Sequence, residues 1–318
     1  MTESLLRVEN LHKEFTFNRG PYGGAQSTNH LRPIHDITFE IRPGEIVALV
    51  GETGAGKSTL TRMVTLLARP DKGKVVFEGR DLVKQGAGAL RAVRRRLQVL
   101  FSDPRTALNP ASLVSEVMFE PLKVQRVGNA EQQLVAVKSA LRQVGLNSLL
   151  LERRLTALSA GERQRVALAR LLTLNPALIV CDDPTRTLTP LAAEQFFKLM
   201  ADARQHSGAA FLWLVSEASA SMVAAFADRL GVLYQGRLVE IGPAAEVLGA
   251  PQHPYTRQLF AGQTQPPATP GPFFKGCPYH AHCPQVMNIC RQRMPELSPT
   301  PTGQSAACFL YSNPTSNG

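Results

Sequence analysis

The chain contains no run of roughly 18 or more apolar residues, the length a membrane-crossing helix needs. Its N-terminus, MTESLLRVENLHKEF, carries acids where a secretory signal has a basic stretch followed by an apolar one. Together these absences point to a cytoplasmic protein that touches membranes only through partners. Aromatic residues are scarce at 6%, and no aromatic-rich RNA motif interrupts the basic residues. The excess of 35 Lys and Arg over 25 Asp and Glu, a formal charge of +10, is densest at Arg91 to Arg96. It is therefore read as a solvated surface near anionic lipid or a charged partner, with no nucleic acid expected. No internal repeat appears either, so each domain occurs once. With 318 residues, 44% hydrophobic and 19% charged, the chain can build one large α/β domain and an appendage.

What the chain does have is concentrated between Ile46 and Thr59, IVALVGETGAGKST. The apolar run Ile46 to Val50 ends at Gly51, and Gly56-Lys57-Ser58 follows in the frame G-x-x-x-x-G-K-S. A strand-to-helix turn of this composition wraps backbone N–H groups around phosphate oxygens, with Lys57 as a point charge and Ser58 as a Mg²⁺ ligand. Residues Gly51, Glu52, Thr53, Gly54, Ala55, Gly56, Lys57, Ser58 and Thr59 are thus the expected phosphate site of ATP. The dipole of the helix that starts there adds to it.

Along the chain, short strands are expected at 5–9 and 37–41 around a Gly-rich loop. Phe15 and Phe17 lie in the continuation of the first strand, where a ring could stack on a purine or serve as a core or edge aromatic. A helix is expected from the phosphate loop to about Leu67, then strands at VVFEG and LQVLF, then helical spacing from Ser112 to Leu149. Ser159 can cap a helix whose first turn holds Gly161 and Glu162 and which Pro176 stops. ALIVC then delivers Asp182 and Asp183 at a strand's carboxyl end, where ligands of open α/β sheets bind. Asp182 suits Mg²⁺, and the second acid suits polarising a water. A helix (190–205), a strand (210–216), a helix (218–226) and a hairpin through YQGRLVEIG complete the domain near residue 249.

GETGAGKST, LSAGE and LIVCDDP, in this order and spacing, resemble the ATP-binding subunits of ABC transporters. LQVLFSDPRTALNP, HPYTRQL at 253–259 and the tail GCPYHAHCP are similar to the dipeptide/oligopeptide importer branch. The resemblance implies a P-loop α/β nucleotide-binding domain over 1–250: a RecA-like lobe, an antiparallel β lobe and a helical subdomain at about 102–160 that meets the membrane subunits. An extension at 251–318 follows. It further implies two ATP molecules sandwiched between paired ATPase subunits, each held by the phosphate loop of one chain and the signature helix of the other, here Ser159, Gly161 and Glu162. Two transmembrane permease subunits and an extracytoplasmic solute-binding protein complete the assembly, at the cytoplasmic face of the inner membrane.

Several family positions are altered. The water-polarising glutamate is Asp183, one methylene shorter; the glutamine of the γ-phosphate-sensing loop is Ser102; the switch histidine aligns with Glu217; and the aspartate of the following loop is Thr189. A retreat of roughly 1 Å can cost on the order of 10²-fold where geometry controls rate. The expectation is a site that binds MgATP and hydrolyses it slowly, paired with an intact sister ATPase. The alternatives are a fully active ATPase and a non-transport regulatory ATPase.

Cys277, Cys283, Cys290 and Cys308 follow a Pro/Gly-rich linker in the pattern C-x5-C-x6-C-x17-C. A reducing compartment disfavours disulfides, so four thiols on one centre are expected, a [4Fe–4S] cluster before Zn²⁺. Four unrelated thiols packing a small subdomain is the other reading. His280 and His282 are expected to face solvent, and Cys181 to act as a small hydrophobe.

Overall fold

A computed structural model describes residues 4–18, 28–104, 108–263 and 275–311, without the side chains of 16–18, 28–32 and 218. Phe17 therefore lies outside the described side chains. The chain divides into two compact units.

The first unit is built on Lys84–Leu214 with the short segment Ile41–Ile46. Its strands Leu97–Phe101, Leu178–Asp182 and Ala210–Val215 run parallel, with Phe101 opposite Asp182 and Asp182 opposite Leu214. All six residues of Ala210–Val215 are buried, as in strands covered on both faces. The unit's helices include Val114–Val124, Ala130–Gln143, Ala160–Leu172 and Pro190–Ser207, of which Ala160–Leu172 packs on strand Leu97–Phe101. The continuous helical pattern expected from Ser112 to Leu149 is in fact broken. Arg126 and Gly128 adopt left-handed backbone, and Asn129 then caps a new helix by accepting from Gln132 N–H, with Gln132 returning the bond.

The second unit comprises Leu6–Glu40, Val47–Val83 and Val215–Gly318. A four-stranded sheet orders Thr28–Ile41, Leu6–Asn18, Lys72–Phe77 and Arg80–Asp81. The first two strands are far longer than the expected 5–9 and 37–41, because cross-strand pairing carries polar residues that their own pattern does not mark as strand. In the same unit Ile46–Gly51 pairs in parallel with Arg229–Tyr234, which turns at Gln235-Gly236 into antiparallel Arg237–Pro243. The tail adds Ser305–Ala306 to that hairpin, with Ser298–Pro299 beyond it. The phosphate-loop helix ends at Val64, short of the expected Leu67, where Leu66 turns left-handed. The helix expected at 218–226 is a 3₁₀ turn, Glu217–Ser219, followed by Ala220–Ala224.

Candidate nucleotide site and thiol pocket

The phosphate loop is shaped by backbone that only glycine supplies cheaply. Gly56, the N-cap of helix Lys57–Val64, has φ 98°, and a Cβ there would stand 2.2 Å from the Pro33 carbonyl oxygen. A Cβ on Gly51 would lie 2.8 Å from the Leu233 carbonyl oxygen. The loop is tied to the hairpin turn by Gly236 N–H donating to the Ala55 carbonyl (3.1 Å). Lys57 Nζ donates to the carbonyls of Gly51 (2.5 Å) and Glu52 (2.9 Å), which holds the ammonium over the loop. The helix has no acid in its first turn and no side-chain cap, and the positive end of its dipole suits an anion. Thr53, Gly54 and Ser58 are exposed, Glu52 and Thr59 half-buried, and Ala55 buried.

Glu52 carries a carboxyl raised above its usual range, first by burial and then by the charge of Glu217, with Tyr255 and Lys57 opposing. One carboxylate oxygen of Glu217 is buried with no hydrogen-bond partner among the described residues. Phe15 is 36% exposed, with the Lys13 ammonium 5.4 Å from its ring centroid.

In the first unit, Leu178–Asp182 delivers Asp182 at the strand end, and Asp183 follows with φ 48° and its N–H bonded to Leu214 O (2.7 Å). A left-handed backbone suits Asp better than Glu, since the shorter side chain tolerates it. Ser159 caps helix Ala160–Leu172, accepting from Glu162 N–H (3.2 Å) while Glu162 Oε2 accepts from Ser159 N–H (2.8 Å). Those bonds hold the Glu162 carboxyl below its usual range. A Cβ on Gly161 would meet nothing within 4 Å, so no local packing demands that glycine. Ser102 is half-buried just past strand Leu97–Phe101. Sequence reasoning passed over Gln164, which is fully buried and donates to the Phe101 carbonyl (3.4 Å). A buried amide on an apolar helix face was the available signal.

The four tail cysteines line one pocket together with His253 and Tyr279. Cys277 N–H donates to Cys290 O (2.8 Å), a close approach that Gly276 permits. The sulfurs of Cys277, Cys283 and Cys308 each face the backbone N–H two residues on, at Tyr279, Gln285 and Leu310. Burial pushes the Cys277 thiol up to about 12, and its three neighbouring cysteines add to that. Among the described residues, no group of three or more His, Cys, Asp or Glu is arranged to hold a metal ion. The shared pocket is thus found, while a formed ligand set is not. His253 is no ligand candidate: its Nδ1 accepts from Tyr255 N–H, Ala307 supplies a further backbone bond, and burial lowers its pKa to about 3. His282 is exposed as expected, but His280 is half-buried, with Nδ1 2.7 Å from Cys277 O. Cys181 is fully buried, with its thiol pushed well up.

A family model described as "ABC transporter" matches residues 34–186, and one described as "Oligopeptide/dipeptide transporter, C-terminal region" matches 239–290. The chain is 33% identical over 98% of its length, and 91% of the relative's, to the "Probable peptide ABC transporter ATP-binding protein y4tS" of Sinorhizobium fredii. The chain belongs to the ABC transporter ATP-binding family. "Oligopeptide transport ATP-binding protein AppF" of Bacillus subtilis is 30% identical over 98% of both chains. Among solved structures, cbiO1 from Clostridium perfringens aligns at TM-score 0.66 and 24% identity, covering 80% of this chain and 95% of that one. This likeness shows the ABC cassette fold. As an ABC family ATPase subunit, the chain uses ATP with Mg²⁺, for which the phosphate loop has the required shape and charge. No described helix is long and apolar enough to cross a membrane.

Proposed function

We propose that this chain is the nucleotide-binding subunit of a peptide importer that holds MgATP on its own phosphate loop and hydrolyses it poorly. It sits on the cytoplasmic side against two permease subunits fed by a solute-binding protein. Residues 1–250 serve as the nucleotide-binding domain, with 102–160 as the part that meets the permeases, and 251–318 as the extension. The observation that carries the reading is the phosphate loop itself, with Gly51 packed on the Leu233 main chain, Gly56 on that of Pro33, and Lys57 over its mouth.

Gly51 to Thr59 bind the phosphates, Ser58 and Asp182 serve Mg²⁺, and Phe15 stacks the base. Asp183 is a short base, Ser102 cannot span to the γ-phosphate, and Glu217 sets a negative charge where a histidine is expected. These losses favour a heterodimer in which Ser159, Gly161 and Glu162 complete the site of an intact sister ATPase. The bare backbone at Gly161 supports this, because no packing among the described residues requires it.

The tail holds a [4Fe–4S] cluster on Cys277, Cys283, Cys290 and Cys308, with Zn²⁺ as the other candidate. One shared pocket, three sulfurs facing backbone N–H groups and the Arg237 guanidinium beside Cys277 all favour bound thiolates. Such a cluster would bring structural cross-linking and redox chemistry to the tail. Steady-state hydrolysis by the whole complex tests the main reading: Asp183→Asn here should change turnover by less than about twofold, and the matching change in the sister should abolish it. Abolition by Asp183→Asn would overturn the reading.

A further inference from the structure

Strand Leu6–Asn18 outruns its neighbour Lys72–Phe77: the antiparallel pairing runs from Leu6 opposite Phe77 to His12 opposite Lys72. Just beyond that last pair the Asp71 residue takes over from the ladder. Its N–H donates to the His12 carbonyl (2.9 Å), and its Oδ2 accepts from Glu14 N–H (2.7 Å). Gly73, two residues on, has φ 96°, and a Cβ there would stand 2.4 Å from the Asn10 carbonyl oxygen, so the two main chains abut beside Asp71. Asp71 itself lies in the connection from the phosphate-loop helix Lys57–Val64 to strand Lys72–Phe77.

The other carboxylate oxygen of Asp71, Oδ1, accepts from Lys13 Nζ at 2.7 Å. Lys13 and Phe15, two apart on a strand, share a face. The ammonium that Asp71 holds lies 5.4 Å from the Phe15 ring centroid, within cation–π range, and the Lys13 side chain is only 16% exposed. A surface ion pair of this kind adds little stability by itself. What this one does is order a cation on the ring of Phe15, while the same carboxylate ties down the main chain of the residue between them.

We propose that Asp71 and Lys13 are positioning residues for the nucleotide base: the carboxylate fixes the Lys13 ammonium and the Glu14 main chain, and together these hold the Phe15 ring in place for stacking. The inference rests on Phe15 as the base-stacking residue and deepens that reading. The affinity these two residues confer belongs to the base, and the grip on the phosphates does not depend on them.

The test compares the affinity of the full chain for MgATP with that for magnesium tripolyphosphate, which lacks the base, by titration calorimetry. Phe15→Ala should weaken MgATP about tenfold, the worth of one base–aromatic stack, and leave tripolyphosphate unchanged. Asp71→Ala should weaken MgATP about threefold, in line with one cation–π contact. It should leave tripolyphosphate unchanged and add no further loss in the Phe15→Ala background. Lys13→Met keeps the apolar stem and should reproduce the Asp71→Ala result, so the proposal stays open to refutation even where Asp71→Ala folds poorly. Equal weakening of both ligands, additive losses, or unchanged MgATP affinity in Asp71→Ala and Lys13→Met would each overturn it. Unchanged MgATP affinity in Phe15→Ala would instead sink the base-stacking reading, and this proposal with it.

Discussion

Cys277 donates its main-chain N–H to the carbonyl oxygen of Cys290 at 2.8 Å, and a Cβ on Gly276 would lie 2.2 Å from that same oxygen. Two cysteines distant in sequence are thus held together by backbone contact. Gly276→Ala should force this contact apart and lower iron in anaerobically purified protein well below the about four irons per chain expected of a loaded cluster. Cys290→Ser should do the same. Visible absorbance and metal analysis give the readout, and full iron loading in both variants would remove Cys290 from the ligand set.

On the proposed reading, hydrolysis at this chain's own site is limited by side-chain reach and an intact sister ATPase works beside it. With the sister subunit's catalytic carboxylate removed, the combined change Asp183→Glu, Ser102→Gln and Glu217→His should raise turnover by about 10²-fold or more. Asp183→Glu alone should gain far less. It should also lower the melting temperature slightly, because residue 183 has φ 48° and a longer side chain is strained there. A rate unmoved by the triple change would place the defect elsewhere.

Acid sensitivity should trace to His253. Burial, with help from the Arg257 charge, lowers its folded pKa to about 3, against an ordinary value near 6.5. A depressed pKa contributes stability that is complete above the unfolded value and is lost as pH falls from about 6.5 toward 3. Glu240 acts with opposite sign: it is fully buried, accepts from the N–H groups of Gln252 (2.7 Å) and His253 (2.8 Å), and burial raises its carboxyl. Its stability contribution is therefore greatest at low pH and is lost as pH rises. Urea unfolding of wild type and His253→Gln at pH 7.5, 5.5 and 4.5 separates the two. The stability advantage of wild type should shrink steadily with acidity, and a constant gap would contradict this.

Gly56→Ala should abolish MgATP binding and cost at least ~2 kcal/mol of stability, since left-handed backbone strain and a backbone clash act together. Lys57→Ala should abolish binding with little change in melting temperature. Equilibrium binding and thermal unfolding of both variants distinguish shape from charge.

The phosphate loop was legible because its glycines and lysine act locally: strand, turn and helix all lie within some fifteen residues. The capping box of Ser159 and Glu162 was legible for the same reason. Long strands Leu6–Asn18 and Thr28–Ile41 were not, because pairing partners distant in sequence set their length. The cysteines could be grouped from composition and redox chemistry, but the backbone bond between Cys277 and Cys290 could not. Tyr255, Glu240 and His253 went unread because each takes its meaning from neighbours far along the chain. The Tyr255 ring packs on Tyr234 and Tyr279, contacts that no local pattern reports.

The Pro33 carbonyl oxygen would lie 2.2 Å from a Cβ on Gly56 and 2.5 Å from one on Gly236. The N-terminal sheet, the phosphate loop and the hairpin turn therefore meet main chain to main chain, with no side chain as intermediary. Repacking neighbouring residues cannot loosen or rescue such a corner. Its tolerance to change is decided by two hydrogen atoms, and a random-substitution library should return only glycine at both positions.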